Sequence, residues 1–238
     1  MPESLAVDVD GRRTTALAYH ADANRPAGAT LVLAHGAGAG QHSAFIVDFA
    51  RGLAARGVDI LTFNFLYTEQ KRKVPDRTEM LEQCFRAVIE ATRNFEPLAG
   101  NRIFIGGKSM GGRIASHLVA ARDEPHKARP TNDRDIISGL VLLGYPLHPP
   151  GKPEQLRIAH LPKISVPVLV VQGERDPFGT PNELRPHLAS IAAPATLHVV
   201  ERGDHSLAPS RSQSVVDRVY CEIQDIIANW IRAVERRA

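Results

Sequence analysis

The chain has 238 residues, of which 43% are hydrophobic and 23% charged, values that are ordinary for a globular protein with a substantial core. A net charge of +3 and an aromatic content of 5% argue against a nucleic-acid-binding surface. No basic segment followed by an apolar run opens the chain, and no apolar run reaches the roughly 18 residues that span a bilayer, so we expect neither a signal peptide nor a membrane partner.

The first elements indicate a hairpin followed by a buried strand. Residues 4–9 and 14–20 alternate apolar and polar positions around Asp10-Gly11, which predicts two edge strands joined by a tight turn. Residues 30–34 form a short continuous apolar run, as expected for a strand of a parallel sheet that is buried on both faces. The composition and these elements together predict an α/β fold.

The glycine-rich segment 35–40, His-Gly-Ala-Gly-Ala-Gly, follows that strand directly. A dinucleotide-binding G-x-G-x-x-G is not formed, because Gln41 and Ser43 occupy the third glycine position for the two possible starts. The segment instead matches the His-Gly type of oxyanion loop. Its spacing predicts the N–H of Ala37, to within one residue, as an oxyanion donor, and we take His35 as a candidate substrate contact.

A helix, a strand and a second helix come next. The periodicity predicts a helix over 44–56, a strand over 58–65 and a long amphipathic helix over 78–95. Tyr67 lies just beyond the strand, at the end where ligands meet open α/β sheets, and is a candidate substrate contact. The basic loop 71–76 fits a solvated loop and an anion contact equally well.

Residues 103–114 organise the chain as a buried strand, a glycine-rich turn and a helix start. Within them, residues 107–111 match G-x-S-x-G, the nucleophile elbow that raises a serine above a sheet. The sharp turn forces strained backbone geometry on Ser109, and its crowded flanks require glycine. We therefore predict Ser109 as a nucleophile, the N–H of Met110 as the second oxyanion donor, and Lys108 as a candidate substrate contact.

The same turn offers a weaker alternative, because Gly107-Lys108-Ser109 matches the end of the phosphate-binding G-x-x-x-x-G-K-S loop. That loop requires glycine at position 102, where Arg102 stands. Residues 103–105 also have the character of a strand rather than of a phosphate-cradling arch. We therefore do not favour nucleotide binding.

Residues 144–154, which follow the next predicted strand, have the periodicity of neither a helix nor a strand. We predict a helix over 109–121, a surface loop over 123–135 and a buried strand over 136–143, followed by the proline-rich loop 144–154. Only about 20 residues separate that strand from the next, which excludes a large lid domain. The loop is expected to form one wall of an open site. Tyr145 and His148 in this loop, and His160 beyond it, are candidate substrate contacts.

The last third of the chain supplies a carboxylate and an imidazole. A strand over 166–172 is followed by a tight turn carrying Glu174 and Asp176, of which Asp176 has the better spacing for a triad acid. After a short helix over 182–191, a strand over 196–200 ends in a glycine-containing loop with His205, and an amphipathic helix over 212–233 closes the chain.

The order Ser109, Asp176, His205 is that of an α/β-hydrolase triad. Each residue follows a predicted strand, so all three are expected at one end of the sheet. His205 would accept the proton of Ser109 and pass it to a leaving group, while Asp176 would fix the imidazole tautomer. This chemistry requires neither a metal nor an organic cofactor.

Four motifs resemble the dienelactone-hydrolase-like branch of the α/β-hydrolases. They are residues 35–40, 106–113, 143–153 and 172–179, of which 143–153, with its Tyr-Pro-Leu-His-Pro-Pro run, is the most specific. The branch includes the hydrolase-like domain of a eukaryotic chromatin-complex (non-specific lethal complex) subunit and a testis-expressed relative. The resemblance covers nearly the whole chain and implies the hydrolase fold, with a mostly parallel sheet, helices on both faces and the same triad positions.

We therefore predict a single α/β-hydrolase domain over 1–238 that cleaves a carboxylic ester or thioester of a small acyl substrate. The alternative is a hydrolase-shaped binding or scaffold protein, since the branch includes members regarded as scaffolds. A dehalogenase is disfavoured because serine rather than aspartate stands at the elbow. The two cysteines, Cys84 and Cys221, fall in predicted helices without C-x-x-C spacing, which indicates free thiols and a cytoplasmic location. The sequence leaves the oligomeric state open.

Overall fold

The computed structural model describes residues 1–121 and 137–236, and all eight of its strands join one sheet. The predicted surface loop 123–135 lies outside the described residues. The strands are β1 (Glu3–Val9), β2 (Arg12–Tyr19), β3 (Ala29–Ala34), β4 (Asp59–Phe63), β5 (Arg102–Lys108), β6 (Ile137–Leu143), β7 (Val168–Gly173) and β8 (Ala195–Val200).

The order of the strands across the sheet is β1-β2-β4-β3-β5-β6-β7-β8. The last six of these run parallel, and β2 is antiparallel to both β1 and β4. The predicted hairpin turns at Asp10-Gly11, where both residues have positive φ. However, the expectation of two edge strands is wrong for β2, because β2 pairs with a strand on each side and only β1 lies at the edge.

Six helices accompany the sheet in the described residues. They are α1 (Ala44–Ala54), α2 (Leu66–Glu69), α3 (Thr78–Asn94), α4 (Met110–Ala120), α5 (Pro181–Leu188) and α6 (Gln213–Glu235). Helices α1 and α6 pack on one face of the sheet, and α3, α4 and α5 pack on the other. No helix among the described residues has the length and apolar character needed to cross a bilayer.

Alternation along the central strands explains why both faces are covered. In β3, the side chain of Val32 joins the core beneath α3 and α4, whereas Leu31 and Leu33 join the core beneath α1 and α6. Because successive side chains of a strand point to opposite faces, a continuous apolar run buries both of them. All residues of β3, β6 and β7 are buried, and this packing holds the carboxyl ends of the strands in fixed positions.

The predicted elements are present, with bounds that differ by a few residues. Strand β4 ends at Phe63 rather than Phe65, because the chain turns there into the short helix α2, which the sequence patterns did not indicate. The proline-rich loop 144–154 contains neither helix nor strand, as predicted. A turn of 3-10 helix at Leu161–Lys163 leads from it toward β7, so no large lid domain is inserted.

Candidate active site

Ser109 occupies a strained turn between β5 and α4. Its φ of 52° and ψ of −116° lie in a region that side-chain-bearing residues rarely adopt. A Cβ on Gly107 would lie 2.6 Å from the carbonyl oxygen of Ala34, and one on Gly111 would lie 2.6 Å from the carbonyl oxygen of His35. The two glycines therefore let β3 approach closely enough to support the turn.

A continuous chain of hydrogen bonds joins Ser109, His205 and Asp176. The hydroxyl Oγ of Ser109 lies 2.8 Å from Nε2 of His205, and Nδ1 of His205 lies 2.8 Å from Oδ2 of Asp176. An ionised carboxylate only accepts, so Nδ1 carries the proton and Nε2 accepts from the serine. The Asp176 side chain is completely buried, whereas the His205 side chain is 23% exposed.

The carboxylate of Asp176 is oriented by two donors. Its Oδ1 accepts the N–H of Phe178 at 2.8 Å, and its Oδ2 accepts the Nε2 amide of Gln172 at 3.0 Å. The ring of Phe178 also stacks on the His205 imidazole, with centroids 4.1 Å apart. Glu174, the local alternative to Asp176, instead accepts the N–H of Arg202 at 2.7 Å on the surface and takes no part in this chain.

Ser109 opens onto a cavity of about 530 Å³, within the range usual for small-molecule sites. Both predicted oxyanion donors, Ala37 and Met110, line the cavity beside the serine. Met110 is the first residue of α4, so its N–H has no acceptor within the helix and lies at the positive end of the helix dipole. The arrangement can therefore offer N–H groups to a negatively charged oxygen near Ser109.

Lys108, which the sequence analysis named as a candidate substrate contact, also lines the cavity. Its Nζ is buried, has no hydrogen-bond partner among the described residues and lies 5.9 Å from the centroid of the Phe45 ring. Burial lowers the pKa of Lys108 to about 8, against the opposing attraction of Asp176 and Asp204. The cavity thus contains an amine whose charge is poorly solvated.

Two of the other predicted substrate contacts, His35 and Tyr67, are fully buried away from the cavity wall. The imidazole of His35 donates from Nδ1 to the carbonyl oxygen of Gly36 at 2.8 Å and accepts the N–H of Phe65 at Nε2, at 3.2 Å. Burial lowers the pKa of His35, which favours this neutral form. His35 therefore joins the loop after β3 to the loop after β4, and we correct its assignment from substrate contact to structural residue. The ring of Tyr67 packs against the His35 imidazole.

Tyr145 and His148 are likewise buried and do not line the cavity. The hydroxyl of Tyr145 donates to the carbonyl oxygen of Arg157 at 2.6 Å, and Nδ1 of His148 is 2.9 Å from the carbonyl oxygen of Pro149. Both side chains brace the loop after β6 rather than face a substrate, which corrects the prediction. His160 similarly bonds Ser116 at 2.7 Å.

Comparison with known proteins identifies the family of this fold. A sequence model of the alpha/beta hydrolase domain family matches residues 27–232. The chain belongs to this family. The match spans every element that carries the hydrogen-bonded serine, histidine and aspartate.

Solved α/β-hydrolase structures superpose on nearly the full chain at low sequence identity. A dienelactone hydrolase from Anabaena variabilis is 16% identical with a TM-score of 0.74, covering 97% of this chain and 96% of its own. An α/β serine hydrolase homologue from Coxiella burnetii is 14% identical with a TM-score of 0.70, covering 95% and 96%. XC6422 from Xanthomonas campestris, a serine hydrolase without a lid, is 17% identical with a TM-score of 0.69, covering 99% and 94%. At these identities the likeness establishes the fold.

Four residues of this α/β-hydrolase site escaped the sequence analysis. Gln172 and Phe178 orient the acid and the imidazole, and Arg113 and Arg157 line the cavity. Gln172 had a signal, since it is a polar residue that continues the apolar run Val168–Val171 into the core. The two arginines had none, because they lie in a helix and a loop whose meeting depends on the fold.

Proposed function

We propose that the protein is a serine hydrolase that cleaves a carboxylic ester or thioester through an acyl-enzyme intermediate. The observation that carries the proposal is the unbroken chain from Ser109 Oγ through His205 to Asp176, opening on a cavity. A serine hydroxyl is a weak nucleophile unless a base removes its proton, and this arrangement supplies that base with its tautomer set by a buried carboxylate.

The proposed reaction proceeds in two halves. Oγ of Ser109 attacks the carbonyl carbon as its proton moves to Nε2 of His205, and the oxyanion is held by the N–H groups of Ala37 and Met110. His205 then protonates the departing alcohol or thiol, leaving an acyl-serine. A water molecule, deprotonated by His205, attacks the acyl carbon. The bond from the acyl carbon to Oγ of Ser109 then breaks, His205 returns the proton to Oγ, and the carboxylic acid leaves. Asp176 stabilises the imidazolium that forms in each half.

The test uses a fluorophosphonate probe and 4-nitrophenyl butyrate. We expect the wild-type protein to be labelled and to hydrolyse the ester, and the Ser109→Ala and His205→Ala variants to lose both properties. The matched control is Ser190→Ala, which removes an exposed serine hydroxyl that bonds only the carbonyl of its own helix end. Undiminished labelling of Ser109→Ala would show that another nucleophile is responsible.

A hydrolase-shaped scaffold is the competing outcome of the same test. It would be supported by a folded wild-type protein that the probe does not label, since a scaffold does not require an activated serine. Nothing in the site favours it, because the serine, imidazole and carboxylate are all present and in contact.

We place the protein, as part of the proposal, in the dienelactone-hydrolase-like branch and in the cytoplasm. The neighbour from Anabaena variabilis supports the branch at the level of fold. Cys84 and Cys221 are both free thiols, and an exposed thiol such as Cys221 is compatible with a reducing compartment. We take the binding partner of the protein to be a small acyl substrate, and neither a nucleic acid nor a membrane.

A further inference from the structure

Lys108 places a buried amine directly beside the proposed nucleophile. It is the last residue of β5 and lines the cavity, but its Nζ is buried and has no hydrogen-bond partner in the part of the chain that the structure describes. The ring of Phe45 lies on one side of the amine, with its centroid 5.9 Å from Nζ. Burying an amine without a partner is unfavourable, so an amine at this place indicates a role other than stability.

Gly144 and His205 lie on the other side of the amine. An ideal Cβ on Gly144 would be 2.9 Å from Nζ of Lys108, 3.0 Å from the carbonyl oxygen of His205 and 3.5 Å from Nδ1 of His205. The amine nitrogen and the imidazole nitrogen therefore both lie within 3.5 Å of one point. Because Nδ1 is the atom that His205 directs to Asp176, Lys108 approaches the hydrogen-bonded pair that supplies the base.

Six other charged or titratable groups surround Lys108. They are Asp176 after β7, Asp204 and His205 after β8, Tyr220 on α6, and Arg113 and Arg157 in the cavity wall. Both carboxylates attract the amine through space, but neither bonds to it. Asp176 is bonded to His205, and Oδ1 of Asp204 accepts the N–H groups of Ser206 and Ala208 at 2.7 and 3.1 Å.

Among these neighbours, Tyr220 and the arginines keep one charge state near neutral pH. Burial raises the pKa of Tyr220 to about 12, and an arginine side chain stays protonated in proteins. Burial lowers the pKa of Lys108 to about 8, since the attraction of the two carboxylates only partly offsets the loss of solvation. The charge beside the Asp176–His205 pair therefore changes as Lys108 loses its proton, just above neutral pH.

The positive charge of Lys108 opposes proton uptake by His205. In each half of the proposed reaction, His205 becomes an imidazolium that Asp176 stabilises. A second positive charge at this range destabilises the imidazolium, and the burial of Nζ limits screening by solvent. Once Lys108 is neutral, that repulsion is absent and the carboxylate of Asp176 acts on His205 unopposed.

We propose that Lys108 controls the proposed hydrolase by acting through His205: its ammonium restrains the base, and its neutral amine releases it. The inference rests on the proposed function for its kinetic consequence, whereas the coupling between the two side chains rests on their geometry alone. Lys108 touches no reacting atom in this role. It determines the pH range in which His205 can accept the proton of Ser109.

The kinetic test follows kcat/KM for 4-nitrophenyl butyrate between about pH 6 and pH 9.5. We expect two rising steps in the wild-type protein, a lower one from His205 and an upper one near pH 8 from Lys108. The upper step should be about 5- to 20-fold, as for a unit charge at this range that is partly expressed in the transition state. A wild-type profile without a step near pH 8 would overturn the inference.

Three variants assign the upper step. Lys108→Met is neutral at every pH, so it should lack the step and exceed the wild-type kcat/KM at pH 7 by about 5-fold or more. Lys108→Arg stays charged, so it should lack the step and remain at the lower rate. Lys163→Met, which removes an exposed lysine, should keep both steps. An upper step that survives in Lys108→Met, or a Lys108→Met protein that is slower than wild type at pH 7, would show that the proposal is wrong.

A spectroscopic measurement without substrate separates this inference from the proposed function. The proton on Nδ1 of His205 lies in the 2.8 Å hydrogen bond to Asp176 and should give a low-field NMR signal. We expect this signal to shift as the pH passes through about 8 in the wild-type protein and to stay fixed over the same interval in Lys108→Met. A signal that behaves identically in the two proteins would contradict the coupling.

The two measurements together distinguish the possible failures. A Lys108-dependent shift of the His205 proton in a protein that no fluorophosphonate labels would support the coupling and refute the hydrolase. Ester turnover that depends on Ser109, with one rising step that is the same in wild type and Lys108→Met, would refute the role of Lys108 and leave the hydrolase standing.

Discussion

Replacing Gln172 by leucine should damage the site without touching any reacting atom. Gln172 is fully buried at the end of β7. Its Oε1 accepts the N–H of Tyr145 at 2.8 Å, and its Nε2 is 3.0 Å from Asp176 Oδ2, 2.7 Å from the Gly179 carbonyl oxygen and 3.2 Å from the Tyr145 carbonyl oxygen. One side chain thus connects the loop after β6 to the acid that orients His205.

The expected magnitude follows from the backbone groups left without partners. Leucine would leave the buried N–H of Tyr145 and the carbonyl oxygen of Gly179 without the hydrogen bonds that Gln172 provides. Each unpaired group should lower the free energy of unfolding by about 1–3 kcal/mol. A total loss of about 3 kcal/mol is a large fraction of the usual 5–15 kcal/mol of a folded domain. For a chain of this length the melting temperature should fall by about 6–12 °C.

The assay is thermal unfolding of Gln172→Leu alongside Gln41→Leu. Gln41 is also buried, but its side-chain amide has no hydrogen-bond partner among the described residues. The same substitution there removes an unsatisfied polar group, so we expect Gln41→Leu to be neutral or stabilising. Fluorophosphonate labelling, if the hydrolase proposal is correct, should slow about tenfold in Gln172→Leu because the Asp176 carboxylate loses a donor.

Equal melting temperatures for the two variants would refute the reasoning. That result would mean that the four contacts of Gln172 contribute no more than the unpaired amide of Gln41. A large loss of stability with unchanged labelling would show instead that Gln172 supports the fold and that Phe178 alone suffices to orient Asp176.

Three further changes test single features. Lys108→Met should be more stable than wild type at pH 7, by at most about 3 kcal/mol. The reason is that the pKa of Lys108, lowered from 10.5 to about 8, disfavours the charged amine in the folded state. Urea unfolding should show the difference in stability between the two proteins closing as pH rises from 8 to 10.5. Gly107→Ala should unfold or fail to express because its Cβ has no space, whereas Gly100→Ala, with nothing within 4 Å, should match wild type in melting temperature. Phe178→Ala should slow fluorophosphonate labelling roughly 2- to 10-fold through loss of its stacking on His205.

The elements of this fold were predictable because their signals are local. Continuous apolar runs marked the buried strands, and 3.6-residue periodicity marked the helices that cover them. The elbow was predictable from its glycines, whose neighbours in the structure leave no space for a Cβ. The positions of Ser109, Asp176 and His205 followed from one rule, that residues directly after parallel strands gather at one end of the sheet; their catalytic roles remain predictions.

The direction of individual side chains was not predictable in the same way. His35, Tyr145 and His148 lie in segments that border the cavity, yet the side chain of each is buried and does not line it. A segment's position relative to the sheet depends on local pattern, whereas the direction of a loop side chain depends on which neighbours offer it a partner. For His35 that partner is the N–H of Phe65, 30 residues away in the chain.

The amino-acid sequence by itself determined the hydrolase architecture, the strained serine turn and the order of the three hydrogen-bonded residues, since each arises from short-range pattern and strand geometry. Only the tertiary structure decided which side chains face the cavity, how Gln172 orients Asp176, and that Arg113 and Arg157 lie together. These last features are contacts between residues far apart in the chain. Their energies depend on burial and on mutual distance, which exist only once the sheet and its helices have packed.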